Sequence, residues 1–201
     1  ADGIYYDTRN YYFVVDTTGK TLFAVKTSED LRLTFAYAGE DMFIIGGRDG
    51  RIGFMNASGE LVVPVKYGDS GGALPQFSEG LCCVLDSTLS YYLFIDKTGK
   101  QAFDFIMEGT LGGAATFYFP EFHDGLCVAH KNYKFGYINH YGQWAIPPQY
   151  DQAARFGEGL AAVRINDKVI FIDKNGEQAI SRSFGGIDEG CCGFTYGWFE
   201  N

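Results

Sequence analysis

The sequence predicts an all-β protein, assembled from about five tandem copies of one antiparallel β-meander. Three observations predict it. Glycine and aromatic residues are both abundant, with 27 Gly, 18 Phe and 14 Tyr among 201 residues. Glycine supplies positive-φ turn positions, and aromatics fill pleated, half-buried surfaces. Five short segments place Asp or Asn three residues before Gly, starting at positions 16, 56, 96, 139 and 173. Strand-like apolar runs flank each segment, and no window shows sustained helical periodicity.

Taken in order, the units are 2–38, 39–76, 77–121, 122–155 and 156–186, with a partial copy at 187–201, all in one repeat domain spanning 1–201. The first opens with Asp2-Gly3-Ile4 and turns at Asp16-Thr17-Thr18-Gly19 after the run 12–15. The second opens with a degenerate Gly39-Glu40-Asp41-Met42, runs through 52–55 and turns at Asn56-Ala57-Ser58-Gly59 into 61–63. The third opens with Phe77-Ser78-Glu79-Gly80-Leu81 and predicts strands at 81–85, 92–95 and 102–106 around the turn Asp96-Lys97-Thr98-Gly99. The fourth opens with Phe122-His123-Asp124-Gly125-Leu126 and turns at Asn139-His140-Tyr141-Gly142, between 135–138 and 144–146. The fifth opens with Phe156-Gly157-Glu158-Gly159-Leu160 and turns at Asp173-Lys174-Asn175-Gly176 after 169–172. Glu189-Gly190-Cys191 begins a further copy. In each tight turn the Asp or Asn side chain can bond to backbone two residues on, while Gly takes the left-handed position. Asp16, Gly19, Asn56, Gly59, Asp96, Gly99, Asn139, Gly142, Asp173 and Gly176 are therefore structural turn residues.

The run Phe135-Gly136-Tyr137-Ile138-Asn139, the stretch Ala145-Ile146-Pro147-Pro148-Gln149-Tyr150-Asp151 and the next opening, Phe156-Gly157-Glu158-Gly159-Leu160-Ala161, follow one another. This succession resembles the bacterial WG-repeat proteins. The resemblance covers 122–180 most fully and 77–106 in part, and it is weakest before 60. The aromatic-Gly dipeptide is found at Phe135-Gly136 and again at Tyr196-Gly197. The resemblance implies a β-repeat scaffold that mediates interactions, and no reaction.

A three-stranded meander cannot bury its apolar face alone, so the units must stack. They could close into a small propeller-like ring of about five blades, sealed by pairing of 190–199 with the first unit, or form an open array. The closed ring is favoured because an array would leave uncapped strand edges.

The formal charge of −9 opposes nucleic acid as a partner, and no apolar run is long enough to span a membrane as a helix. The start at Ala1, without Met, suggests a trimmed N-terminus. Unpaired-looking cysteines fit a reducing compartment, whereas the trimmed start and the resemblance favour a bacterial envelope or secreted location.

The recurring carboxylates Glu40, Glu79, Asp124, Glu158 and Glu189 are expected to accept backbone N–H groups in their own turns. The sharper reading is a charged ring that binds a cation or a basic partner. Cys82, Cys127 and Cys192 align with Ala161, so they read as small buried hydrophobes rather than metal ligands, and a strained vicinal disulfide at Cys82-Cys83 or Cys191-Cys192 is not favoured. His123-Asp124 could pass for a base with its orienting acid but reads as turn decoration. The glycine pairs form no phosphate-binding motif, so no cofactor, metal or catalytic set is predicted. Phe117, Tyr118 and Phe119, on the irregular segment 106–121, are the candidate ligand-binding residues; they could also fold onto the core. The segment 67–77 is a weaker case of the same kind. The leading function is a non-enzymatic, protein-binding module. A carbohydrate-binding protein and a propeller glycoside hydrolase, which needs two inward carboxylates, are the alternatives.

Overall fold

The computed structural model describes residues 3–7, 11–16, 18–26, 35–47, 49–68, 74–88, 91–108, 119–181 and 184–185. Those residues form β-strands, turns and connecting segments, with no helix among them. The strands are β1 (Gly3–Asp7), β2 (Tyr11–Val15), β3 (Thr21–Lys26), β4 (Phe35–Tyr37), β5 (Met42–Gly46), β6 (Arg51–Asn56), β7 (Leu61–Gly68), β8 (Phe77–Ser78), β9 (Leu81–Leu85), β10 (Tyr91–Asp96), β11 (Met107–Glu108), β12 (Phe122–His123), β13 (Leu126–Lys131), β14 (Lys134–Asn139), β15 (Trp144–Tyr150), β16 (Gln152–Ala153), β17 (Ala161–Ile165), β18 (Lys168–Ile172) and β19 (Phe184–Gly185). The protein is all-β and built of tandem antiparallel meanders, each pair of sequence neighbours joined by a hairpin.

The chain divides into two compact units. The first comprises Ala1–Ala102 with Glu108–Phe119, the second Phe103–Met107 with Pro120–Asn201. In the first unit, β1-β2-β3 and β4-β5-β6-β7 are successive meanders, and β8-β9-β10 begins the next, touching β7 through the single pair Gly68↔Leu85. In the second unit, β12-β13-β14-β15 and β16-β17-β18-β19 are four-stranded sheets of the kind that forms a propeller blade. The segment leading into each new repeat is itself a short strand (β4, β8, β12 or β16) paired to the strand that follows.

Sheets that stack on both faces need strands that are apolar on both faces. β5 (Met-Phe-Ile-Ile-Gly) is buried along its whole length, and β9 (Leu-Cys-Cys-Val-Leu) along all but its first residue. Phe43 and Ile45 point toward the first sheet, packing with Val14 and Val25, while Met42 and Ile44 join Phe54, Val63 and Ile95 on the other side. In the second unit Ala161 and Val163, with Phe156 of their own repeat, pack onto Tyr137, Ile146 and Tyr150 of the preceding one.

Each tight-turn glycine after the first also rests on the previous repeat. A Cβ at Gly59 would meet Phe23, one at Gly99 Val63, one at Gly142 Phe103 and one at Gly176 Ile146. These four contacts sit at the same place in their repeats, seven residues after the turn-opening Asp or Asn. The left-handed φ of +71 to +81° and the lack of room combine to require glycine.

The strand after each tight turn takes three forms. In β6/β7 and β14/β15, four residues on one strand face seven on the other: Ile52↔Tyr67 with Met55↔Leu61, and Phe135↔Tyr150 with Ile138↔Trp144. The excess forms a wide bulge through Pro64 or Pro147-Pro148 (Pro lacks the N–H a regular ladder would use). The bulge lies on a glycine. A Cβ at Gly53 would sit 2.8 Å from Pro64 C and Val65 N, and one at Gly136 2.8 Å from Pro147 C and Pro148 N. In the first repeat the equivalent residue is Phe13, which pairs regularly with Ala24. In the fifth it is Ile170, and the strand breaks. Gln178 bridges Ile172 and Phe184 pairs with Val169, while Ala179, Ile180 and Ser181 are exposed and outside any strand.

The third repeat departs from expectation. The predicted strand 102–106 does not form: Gln101 bridges Ile95, Ala102 N–H reaches Phe94 O, residues 103–106 lie outside any strand, and β11 is the next segment paired to β10. Residues 103–107 join the second unit, where Phe103 covers Gly142 and Phe105 meets Trp144 edge-on at 5.4 Å. Two aromatic side chains thus gain burial that a continued edge strand would have denied them.

Candidate interaction surface

The recurring polar residues are held by the scaffold itself. In all five tight turns the Asp or Asn carbonyl accepts the Gly N–H, and its side-chain oxygen accepts two more N–H groups: Thr18 and Lys20 on Asp16, Ser58 and Glu60 on Asn56, Thr98 and Lys100 on Asp96, Tyr141 and Gln143 on Asn139, Asn175 and Glu177 on Asp173. Gly19, Gly59, Gly99, Gly142 and Gly176 all have positive φ.

The carboxylates that open each repeat sit in left-handed pairs with their successors, Glu79-Gly80, Asp124-Gly125 and Glu158-Gly159, the geometry of a type I′ turn. Glu40-Asp41 adopts it without glycine. Their side chains were expected to bond within their own turns, and two of them do something else. Gly80 N–H donates to both carboxylate oxygens of Glu40 at 3.1 and 3.2 Å, and Gly159 N–H donates to Asp124 Oδ2 at 2.7 Å. The carboxylate of one repeat therefore staples the turn of the next. Lys97 adds an ion pair to Glu40 at 3.0 Å. Burial pushes the Glu40 carboxyl up, but Lys97 and the Gly80 N–H outweigh it and hold the group below its ordinary value. Asp124 is thus aimed at Gly159 and not at its neighbour His123, whose Nε2 lies 3.2 Å from Glu121 and 3.4 Å from Arg155.

Cys82, Cys83 and Cys127 are buried and free of disulfides. Burial raises the Cys83 thiol well above its usual range. Cys82, Cys127 and Ala161 occupy equivalent buried positions, and Phe43 fills the same slot in the second repeat. Among the described residues no group of three or more His, Cys, Asp or Glu could hold a metal ion. Cys191, Cys192, Glu189, the dipeptide Tyr196-Gly197 and the segment 190–199 lie outside the described residues, as do Phe117 and Tyr118. Phe119 is turned inward: it is 6% exposed and meets the Tyr92 ring edge-on at 5.5 Å. Tyr67 and Phe77, at the ends of the other irregular segment, are buried. No helix among the described residues is long and apolar enough to cross a membrane.

The exposed aromatics lie elsewhere. Tyr133 and Tyr141 are 77% and 78% exposed, at opposite ends of β14. Tyr141 sits in the turn that begins at Asn139. Tyr133 tips the β13–β14 hairpin as the second residue of the left-handed pair Asn132-Tyr133, with φ of 51° and 61°. The equivalent pair in the β17–β18 hairpin is Asn166-Asp167. Asp151 joins these two tips. It pairs with Lys134 beside Tyr133, and its Oδ2 accepts the Asn166 N–H at 3.2 Å. The hydrogen bond from Lys134 holds the Asp151 carboxyl below its ordinary value, against the weaker effect of burial. Sequence reasoning missed Tyr133, although a bulky residue where Asn, Asp or Gly is the rule was a readable signal.

Comparison with known proteins follows this geometry. Residues 52–85 and 135–168 match the family model described as WG containing repeat, so the chain carries WG repeats there. Both matches begin at the bulge-bearing glycine dipeptides, Ile52-Gly53 and Phe135-Gly136. In the first match the position of the aromatic in the aromatic-Gly dipeptide is taken by Ile52. No curated protein sequence matches the chain. Among solved structures it is similar to BamB from Moraxella catarrhalis, with 16% identity, 91% of this chain and 61% of that one covered, and a TM-score of 0.45. It is also similar to Kluyvelomyces marxianus Hsv2, at 8% identity with 87% and 57% covered and a TM-score of 0.48. The computationally designed Ika4 protein matches at 10% identity, with 73% and 95% covered and a TM-score of 0.43. The chain spans less than two thirds of the BamB and Hsv2 chains.

Proposed function

We propose that this WG-repeat chain is a non-enzymatic module that binds protein. The observation that carries the reading is the placement of Tyr133 and Tyr141. Both project, largely exposed, from hairpin ends fixed by backbone hydrogen bonds to a packed sheet. Tyrosine presents a large amphipathic surface at small cost in conformational entropy, which is why it is enriched among residues that dominate interfaces. The carboxylates Glu40 and Asp124 are engaged by backbone of the next repeat, which sets them in a structural rather than a catalytic role. The envelope or secreted location goes with this reading.

Affinity capture with the purified chain, followed by titration calorimetry with each captured protein in pure form, tests it. Saturable binding of a purified protein is the expected result. Binding to members of a glycan array, with no purified protein bound, would replace the reading with a carbohydrate-binding one.

A further inference from the structure

We infer that the two hairpin tips of the second unit, at 131–134 and 165–168, form a docking platform for an acidic peptide segment of a protein partner, with Tyr133 as its aromatic anchor. This rests on the protein-binding reading and adds the site and the charge of the partner.

The first observation is backbone strain with no structural return. A left-handed conformation costs a residue with a side chain about 1–2 kcal/mol, and a bulky residue there is an outlier. Tyr133 adopts it at φ 61° while its side chain is 77% exposed, so packing does not offset the strain. The neighbouring tip has Asp167 at the same position, a residue suited to the turn. Strain retained at an exposed site points to use by something outside the chain.

The second observation is charge. The protein as a whole carries −9, yet these tips concentrate cations. Lys131 and Lys134 stand opposite each other across the β13–β14 ladder, and Lys168 closes the β17–β18 hairpin opposite Ile165. Asp151 pairs with Lys134, and Asp167 pairs with Arg164 at 2.9 Å. The ammonium groups of Lys131 and Lys168 are exposed and have no ion pair or hydrogen bond among the described residues. Two unneutralised cations and an exposed aromatic ring are therefore carried on two hairpin tips that Asp151 holds together. A segment carrying Asp or Glu around one apolar or aromatic residue complements that arrangement: the carboxylates meet the lysines and the apolar residue stacks on Tyr133.

The test is selection of a random dodecapeptide library displayed on phage against the whole chain, run in parallel on Lys131→Glu/Lys168→Glu, Tyr133→Gly and, as a control in the first unit, the exposed Leu22→Ala. Enrichment of net-acidic peptides is expected. Their binding should weaken about tenfold or more in the charge-reversal variant and in Tyr133→Gly, be unchanged in Leu22→Ala, and fall as salt is raised. Tyr133→Gly should also melt at a higher temperature than the parent, because the strain is gone; that separates loss of the anchor from loss of the fold. Enriched peptides that are not acidic, or whose binding ignores both tip variants, would overturn this inference and leave the protein-binding reading standing. Enrichment of no peptide at all would overturn both.

Discussion

The fourth and fifth repeats adjoin in the second unit, and one position where they differ bears directly on the sheet. The fourth has Gly136 and the fifth Ile170, each three residues before the turn-opening Asn139 or Asp173. In both, four residues of one strand must be matched by seven of the following segment. Where glycine stands, the extra residues lie down as a bulge on its bare Cα, and β15 runs unbroken for seven residues. Where isoleucine stands, Ala179 N–H still reaches Phe171 O, but Ala179, Ile180 and Ser181 are exposed and outside any strand, and Val169 pairs with Phe184. The second repeat, with Gly53 and Pro64, repeats the behaviour of the fourth. A glycine at this position thus gives the extra residues room to lie on the sheet as a bulge, whereas the first repeat, with Phe13, keeps its strand in regular pairing.

The largest expected effect follows from adding a methyl group to that glycine. Gly136→Ala should lose about 3 kcal/mol of stability in urea unfolding, because the new Cβ meets backbone rather than a side chain that can rotate away. Gly53→Ala should behave alike. A loss under about 1 kcal/mol for both would mean that the bulge does not depend on glycine.

Gly142→Ala comes next, at about 2 kcal/mol. It combines a left-handed φ of 71° with a Cβ only 2.8 Å from Phe103 Cγ. Gly80→Ala calibrates it: φ is 81° but nothing lies within 4 Å, so the backbone term of about 1 kcal/mol should appear alone. Equal losses at the two positions would show that the contact with Phe103 contributes nothing.

Ile170→Ala should cost about 1 kcal/mol, ordinary truncation of a half-buried side chain. A loss as large as that of Gly136→Ala would show that Ile170 performs an equivalent structural task.

The smallest effect is electrostatic. Asp151 has a folded pKa below the ordinary 3.8, so the stability it contributes is complete above that value and is lost as the pH falls through the lower folded one. Asp151→Asn should flatten the acid limb of the stability profile, measured by unfolding across that range, and leave the neutral-pH value nearly unchanged because the pair is exposed. An unaltered acid limb would mean that the bridge between the hairpin tips does not persist in solution.

The repeat rhythm, the hairpins and the Asx-type turns were legible because each follows from local chemistry. An Asp or Asn three residues before Gly bonds to its own backbone wherever it is placed, and continuous apolar runs such as Met42-Phe43-Ile44-Ile45 announce burial on both faces. The burial of Cys82 and Cys127 was legible too, from their alternation with Ala161. What the sequence did not disclose depended on partners distant in the chain. Glu40 could have bonded to its own turn; only stacking brings the Gly80 N–H, forty residues on, to its side chain. Residues 102–106 look like a strand by composition, and only the aromatic contacts to Gly142 and Trp144 carry them into the second unit. Local composition fixes which conformations are cheap, whereas the tertiary fold decides which groups meet, because those energies exist only once the repeats are in contact.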